Sequence, residues 1–292
     1  MSKTVLILGA SGKIGRHSAL AFKNAGWNVR MFDRSKDDIV ESSMGADVII
    51  NGFNPKGYAN WAEDIPKITS QVIRAAKASG ATVIIPGNIY VYGERTGLLD
   101  QNTRHRAKTR KGRIRIEMEA AYEKASQDGV QSIILRAGDF IDTGRSDTMM
   151  GALMLSKVDK GIVQSLGPIE TKHSFCYLPD WARAAVMLAD KRNELSQFED
   201  IPFDGINIST VELAKAVSDK MGKNVRAKRF PWLILYLLSP FWKIAYEMLE
   251  MRYLYELEHN ISGEKLKRIL PDFVPTDRYT VMVSELAKGA SV

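Results

Sequence analysis

Leu8-Gly9-Ala10-Ser11-Gly12-Lys13-Ile14-Gly15 is the stretch on which the reading of this chain turns. It follows Thr4-Val5-Leu6-Ile7-Leu8, an apolar, β-branched run ended by glycine, which reads as a buried strand. It opens a helix expected over residues 15–25 and stopped at Gly26. Glycines three apart let the backbone turn tightly, approach a pyrophosphate and pack the helix on the sheet. The helix start then offers free N–H groups and a partial positive charge to the anion. A glycine pattern alone is also an ordinary strand-to-helix turn, so the context decides. Here a strand precedes it, a helix follows, and Asp33 ends the next strand, Asn28 to Phe32. A carboxylate at that point accepts from an adenosine ribose 2′-OH, which favours NAD; Arg34 beside it, or Lys13, could instead meet a 2′-phosphate, leaving NADP open.

Working outward, strand-like runs at 48–50, 82–85 and 132–135 alternate with helical stretches at 66–79, with Pro66 in the first turn, and 114–126. Alternation of this kind predicts an α/β fold with a Rossmann-like, doubly wound parallel sheet. Beyond about residue 145 the rhythm changes to a smaller, mainly helical part closing over the carboxyl ends of the strands. The expected division is a dinucleotide-binding domain over 1–160 and a substrate-facing part over 161–292, partly interleaved, with Phe175 to Leu178 as a candidate return to the sheet.

The 292 residues, 45% hydrophobic and 26% charged, describe an ordinary soluble globular chain, long enough for one large domain or two interleaved ones. The single Cys176 supplies neither an internal disulfide nor a cysteine metal cluster and suits a reducing cytoplasm. Ser2-Lys3 run directly into the first strand, leaving no room for a signal peptide. The longest uncharged run, Phe230 to Trp242, is interrupted by Pro231 and Pro240 and falls short of the roughly 20 residues a spanning helix needs. With Tyr246, Met248 and Met251 it reads as core or as a homodimer interface, ahead of a lipid-facing patch or a greasy substrate lid. His17 reads as a surface residue, and His105 and His173 as exposed or hydrogen-bonded, since no second ligand sits at helical spacing; no metal is expected.

The net charge of +7 has a location. From Arg104 to Arg115 lie seven basic residues, one His and no acid, and outside that stretch the charges balance. A local excess of this kind argues against a nucleic-acid coat, for which interleaved aromatics and a recognised module are also missing. Positive charge entering a helix N-terminus is badly placed for the macrodipole, which points to a bound anion.

The ordered series of motifs resembles the extended short-chain dehydrogenase/reductase superfamily of the NAD-dependent epimerase/dehydratase type. It runs from the glycine loop and Asp33 through Asn51-Gly52-Phe53, Val91-Tyr92-Gly93 and Leu135-Arg136-Ala137-Gly138-Asp139-Phe140. It continues with Tyr177-Leu178-Pro179-Asp180-Trp181-Ala182 and a last pattern at Leu270-Pro271 and Phe273. The resemblance implies NAD(P) held by Gly9, Ser11, Gly12, Lys13, Ile14, Gly15, Asp33, Arg34, Asn51, Gly52, Phe53, Gly87, Asn88, Gly138, Asp139 and Phe140. It implies nucleotide sugars or small carbonyl compounds as substrates. It also implies a Ser or Thr with a Tyr-x-x-x-Lys pair for proton exchange beside hydride transfer.

The chain departs from that catalytic set at every member. Pro86-Gly87-Asn88-Ile89-Tyr90 puts Asn88 where the hydroxyl is expected, and Lys111-Gly112-Arg113-Ile114-Arg115 puts Lys111 for the tyrosine and Arg115 for the lysine. Arginine cannot be deprotonated in a protein, and Lys111 would serve as acid or base only if burial beside Arg113 and Arg115 lowered its pKa by ~3 units. Asn88 can donate to a carbonyl but not relay a proton, and Tyr90 is the nearest substitute phenol, though it also reads as a packed strand-end aromatic. Arg113 with Arg115 would grip an anionic substrate, and Tyr58 borders the pocket. Two readings follow: an NAD(P)-dependent oxidoreductase or epimerase with a rebuilt site, acting on a small or nucleotide-linked anionic substrate, or a non-catalytic NAD(P)-binding redox sensor or partner-binding protein.

Overall fold

The computed structural model describes residues 3–55, 60–143 and 147–286. Its first half runs β1 (Thr4–Leu8), α1 (Lys13–Asn24), β2 (Asn28–Met31), α2 (Ile39–Ser43), β3 (Val48–Asn51), α3 (Trp61–Ser79), β4 (Thr82–Gly87), β5 (Gly97–Leu99), α4 (Arg110–Ser126) and β6 (Ser132–Arg136). The second half runs β7 (Asp139–Ile141), β8 (Ile162–Ser165), β9 (His173–Tyr177), α5 (Leu178–Asp190), β10 (Phe198–Pro202), β11 (Ile206–Ile208), α6 (Thr210–Met221) and β12 (Arg226–Arg229). It ends with α7 (Trp232–Leu238), α8 (Lys243–Met251), α9 (Tyr253–Glu256), β13 (His259–Ile261), α10 (Glu264–Ile269) and α11 (Arg278–Val283).

Six strands form the main sheet in the order β10-β6-β4-β3-β1-β2, with every pairing parallel. Period-two alternation sends Val5, Ile7, Ile50 and Ile133 to one face, against α1 and α5, and Leu6, Leu8, Ile49 and Ile134 to the other, against α3 and α4. The order reverses between β1 and β3, and the crevice beyond the carboxyl ends of such strands is where a ligand binds in an open α/β sheet. This is the doubly wound parallel sheet expected from the sequence.

Three local expectations need correcting. Helix α3 begins at Trp61, a full turn before Pro66, because burying Trp61 and Ile65 outweighs the one hydrogen bond the proline removes. Phe175 to Tyr177 do form a strand, but in a separate sheet of order β11-β9-β7; the strand that returns to the main sheet is β10, parallel to β6. As an edge strand β10 tolerates Pro202 and leaves Phe198, Glu199 and Asp200 only half-buried, so it lacks the apolar signature of its neighbours. The run from Phe230 to Trp242 is core only at Trp232 and Leu235; Leu233, Leu237 and Phe241 face outward.

Candidate functional site

The switch point is built by two touching loops. Gly9 has φ +71°, and a Cβ there would lie 2.8 Å from the Gly52 carbonyl oxygen, so the β1 and β3 loops meet only because both positions are glycine. A side chain on Gly15 would overlap Gly9 O, which fixes the first turn of α1 against the loop. Gly12 N donates to Gly9 O at 2.9 Å. Helix α1 has no capping side chain at Gly12 and no acid in its first turn, so the start of the helix is left for an external anion. Ser11 is exposed at the crest, whereas Ile14 is buried in the core under α1. These residues fit a pyrophosphate.

Asp33 follows β2, with its carboxylate accepting from the Ser35 hydroxyl at 2.7 Å and the Ser35 N–H at 3.0 Å; these bonds hold it below the usual carboxylate range. The neighbouring cations are engaged elsewhere. Arg34 lies over the Phe53 ring at 4.2 Å, and Lys13 pairs with Asp147 at 3.0 Å. Asn51 donates to the Tyr122 hydroxyl at 3.1 Å and accepts from Phe53 N at 3.3 Å, bracing the β3 loop.

Other residues expected at the cofactor are also packing points. A Cβ on Gly87 would strike Ile134 and Arg136, and one on Gly138 would overlap Ser174 O. Asp139 accepts from Tyr255 Oη at 2.8 Å and meets His173 Nε2 at 3.1 Å, while Phe140 packs edge-on to Trp181. Burial alone would raise the Asp139 carboxyl, but His173 and Tyr255 hold it below its ordinary value. His17, expected at the surface, is buried, with Nε2 2.9 Å from Asp142 Oδ1. A helix of the sheet layer takes a polar residue inside because a carboxylate from the loop after β7 meets it there.

Helix α4 holds the main surprise. Lys111 is fully buried, and its Nζ pairs with Glu250 at 2.8 Å and with Glu247 while donating to the Glu247 carbonyl at 3.0 Å. Glu250 also accepts from the Lys111 backbone N–H at 2.8 Å, and Arg110 reaches both oxygens of Glu247. Burial opposes ionisation of Glu250, but its bonds from Lys111 hold the carboxyl below the usual range. The anion called for at the N-terminus of α4 is thus supplied by the chain itself. Lys111 sits among carboxylates, and the neighbouring arginines invoked to depress its pKa point elsewhere.

Arg113 and Arg115 do not come together. Two residues apart on a helix, they point to different sides: Arg113 is exposed and donates to Lys108 O, whereas Arg115 is buried and donates to Pro86 O. Burial pulls the Arg115 guanidinium below its ordinary value, with Glu119 working the other way; Tyr90 and Tyr122 are close enough to act on it electrostatically. Its Nε has no hydrogen-bond partner among the described residues. Asn88 turns its Oδ1 back to Tyr90 N at 3.1 Å. Tyr58 lies outside the described residues.

Glu247 and Glu250 were not singled out in the sequence. The available signal was their position as the first acids after Asp219, ending an acid-free stretch. Arg136 is a further buried hub that the sequence leaves unmarked. It binds Glu119 on α4, Asp200 on β10 and Asn88 O, and so holds the β4 loop to the sheet.

A glycine loop at the switch point of a parallel sheet, with an acid after β2, defines a dinucleotide-binding α/β protein. The sequence profile of the NAD dependent epimerase/dehydratase family matches residues 5–202, and the chain belongs to that family; its cofactor is NAD. No curated protein matches the chain in sequence. Among solved structures, it is similar to UDP-glucuronic acid 4-epimerase from Bacillus cereus in complex with UDP-glucuronic acid and NAD, at TM-score 0.75 and 15% identity, covering 97% of this chain and 98% of that one. It is similar also to UDP-glucose-4-epimerase from Stenotrophomonas maltophila with bound NAD, at TM-score 0.76 and 14% identity over 98% and 97%. A nucleoside-diphosphate-sugar epimerase from Pseudomonas aeruginosa gives 0.73 and 12% over 98% and 97%. At such identities the likeness is one of fold.

Proposed function

We propose that the protein is an NAD-dependent enzyme of the epimerase/dehydratase type acting at a hydroxyl or carbonyl of a small or nucleotide-linked, anionic substrate. Tyr90 exchanges the proton, Arg115 is the fixed cation in the family's lysine position, and Asn88 donates to the substrate oxygen. The observation that carries this is the placement of Arg115: buried on Pro86 O, close enough to Tyr90 to act on it electrostatically, with its Nε–H unpartnered among the described residues. A preorganised cation in a dry site stabilises negative charge as it develops on a nearby oxygen. NAD, when bound, takes or returns the hydride. Gly9, Gly12 and Gly15 take its pyrophosphate and Asp33 its adenosine ribose. The engagement of Lys13 with Asp147 and of Arg34 with Phe53 supports NAD over NADP.

The nucleotide-sugar class is supported by the ligands of the similar structures. Arg113, on the exposed face of α4, takes no part in holding it. Cytoplasmic residence is supported by the lone Cys176, buried and with its thiol pushed up by that burial. The second reading, an NAD-binding sensor without turnover, is favoured by the lock of Glu247 and Glu250 on Lys111, which occupies the place of the family's tyrosine.

Product analysis by proton NMR of a panel of hydroxy and keto nucleotide sugars, with nicotinamide absorbance followed alongside for net oxidation, separates the two. Tyr90→Phe is expected to lower turnover by about 100-fold or more with NAD affinity unchanged. Turnover at the wild-type rate in that variant would sink the role of Tyr90, and recovery of every substrate unchanged, with flat absorbance, would favour the sensor.

A further inference from the structure

Helices α7 and α8 are built inside out. Sixteen large apolar residues are conspicuously exposed among the described residues, and nine of them fall between Leu233 and Tyr246. Leu233 is 70% exposed, Leu237 69%, Phe241 91% and Tyr246 59%, with Ile234, Tyr236, Leu238, Trp242 and Ile244 also outward. The buried side of α8 meanwhile carries Glu247, which with Glu250 clamps Arg110 and Lys111. A helix that turns its carboxylates into the protein and its aromatic rings outward is matched to an apolar medium outside.

The charges around it say which medium. From Lys220 to Tyr246 there is no acid, while Lys220, Lys223, Arg226, Lys228, Arg229 and Lys243 are basic. The overall balance outside residues 104–115 conceals this second local excess. Arg226, Lys228 and Arg229 are exposed on β12, immediately before α7. On the other side, a groove of ≈ 520 Å³ is lined by Lys243, Phe241 and Tyr246 together with the paired Arg110 and Glu247, setting the Lys243 cation beside exposed rings. Apolar and aromatic residues flanked by Lys and Arg are what the boundary of an anionic bilayer attracts. A second copy fits less well, since two-fold pairing would press one cationic face against its equal. Among the described residues no helix is long and apolar enough to cross a membrane, so the contact lies in the plane of the surface.

We infer that the α7–α8 hairpin is a lipid-docking face that seats the protein on an anionic bilayer. The α7 and α8 side chains enter the acyl boundary while Arg226, Lys228 and Lys243 meet lipid phosphates. Because α8 also holds Lys111, docking places the N-terminus of α4 directly behind the membrane contact.

Sedimentation of the full chain with vesicles tests this. Binding to vesicles of phosphatidylglycerol and phosphatidylcholine should exceed binding to phosphatidylcholine alone by about ten-fold or more, and should weaken with salt. The triple variant Leu233→Ser, Leu237→Ser, Phe241→Ser should lose binding while keeping its circular dichroism and thermal midpoint. The pair Arg226→Glu and Lys228→Glu, on solvated side chains, should abolish the preference for anionic vesicles without touching the hairpin. No vesicle binding by the wild type would overturn the inference, as would undiminished binding by the triple variant. So would a wild-type dimer in light scattering that the triple variant splits, which would assign the face to a second copy.

Discussion

Lys111 shows how a residue's neighbours decide its chemistry. An ammonium beside two arginines is a candidate acid; the same ammonium between Glu247 and Glu250 is a structural cation. A second buried group permits a test by pH. His259 packs edge-on to His173 at 4.5 Å, near Asp139. Burial first, and His173 second, hold His259 down to about 3 against an ordinary value of 6.5. Between those values the unfolded chain binds a proton that the folded chain refuses. Its contribution to stability is therefore full above pH 6.5 and falls as pH drops toward 3, by up to about 1.4 kcal/mol per pH unit. Urea melts of wild type and His259→Asn across that range should show a shallower acid limb in the variant; parallel limbs would remove His259 from the account.

At the scale of the element, α4 is the instructive case. Thr109 caps it by accepting from Gly112 N, yet its first turn carries no acid and two buried or half-buried cations. Glu250, from α8, restores the balance by accepting from the Lys111 N–H at the helix start. Removing Glu247 leaves Lys111 buried with half its compensation. Glu247→Ala should therefore cost about 3 kcal/mol, read as a shift of the urea midpoint at constant slope. A loss below about 1 kcal/mol would mean the pair behaves as a surface salt bridge.

Across the whole molecule, Arg136 ties the two halves together. Its guanidinium, 1% exposed, joins Glu119 on α4 to Asp200 on β10, the strand that the second half contributes to the main sheet. Burial pushes the Asp200 carboxyl up, with Arg136 pulling it back. Arg136→Met would strand two carboxylates and should destabilise the protein by about 3–5 kcal/mol. Because β10 hangs on that pair, hydrogen exchange of its amides should rise more than that of β1; uniform exchange would show that the edge strand does not depend on the triad.

Local chemistry was legible in the sequence. The glycine loop, the apolar strands and Asp33 declare themselves within a few residues, because a tight turn, a buried strand and a helix start each depend on backbone geometry and immediate neighbours. From them the parallel sheet and the NAD family followed. What only the tertiary structure decided involves partners far apart in the chain. Glu247 lies 136 residues from Lys111, Asp147 is 134 from Lys13, and Asp200 is 64 from Arg136. An electrostatic partner at such a distance leaves no periodic trace, so the sequence shows the charge and the fold alone shows what neutralises it. The same holds for α7 and α8. Their apolar content was plain, but which way it faces depended on where α8 found counter-ions for its carboxylates.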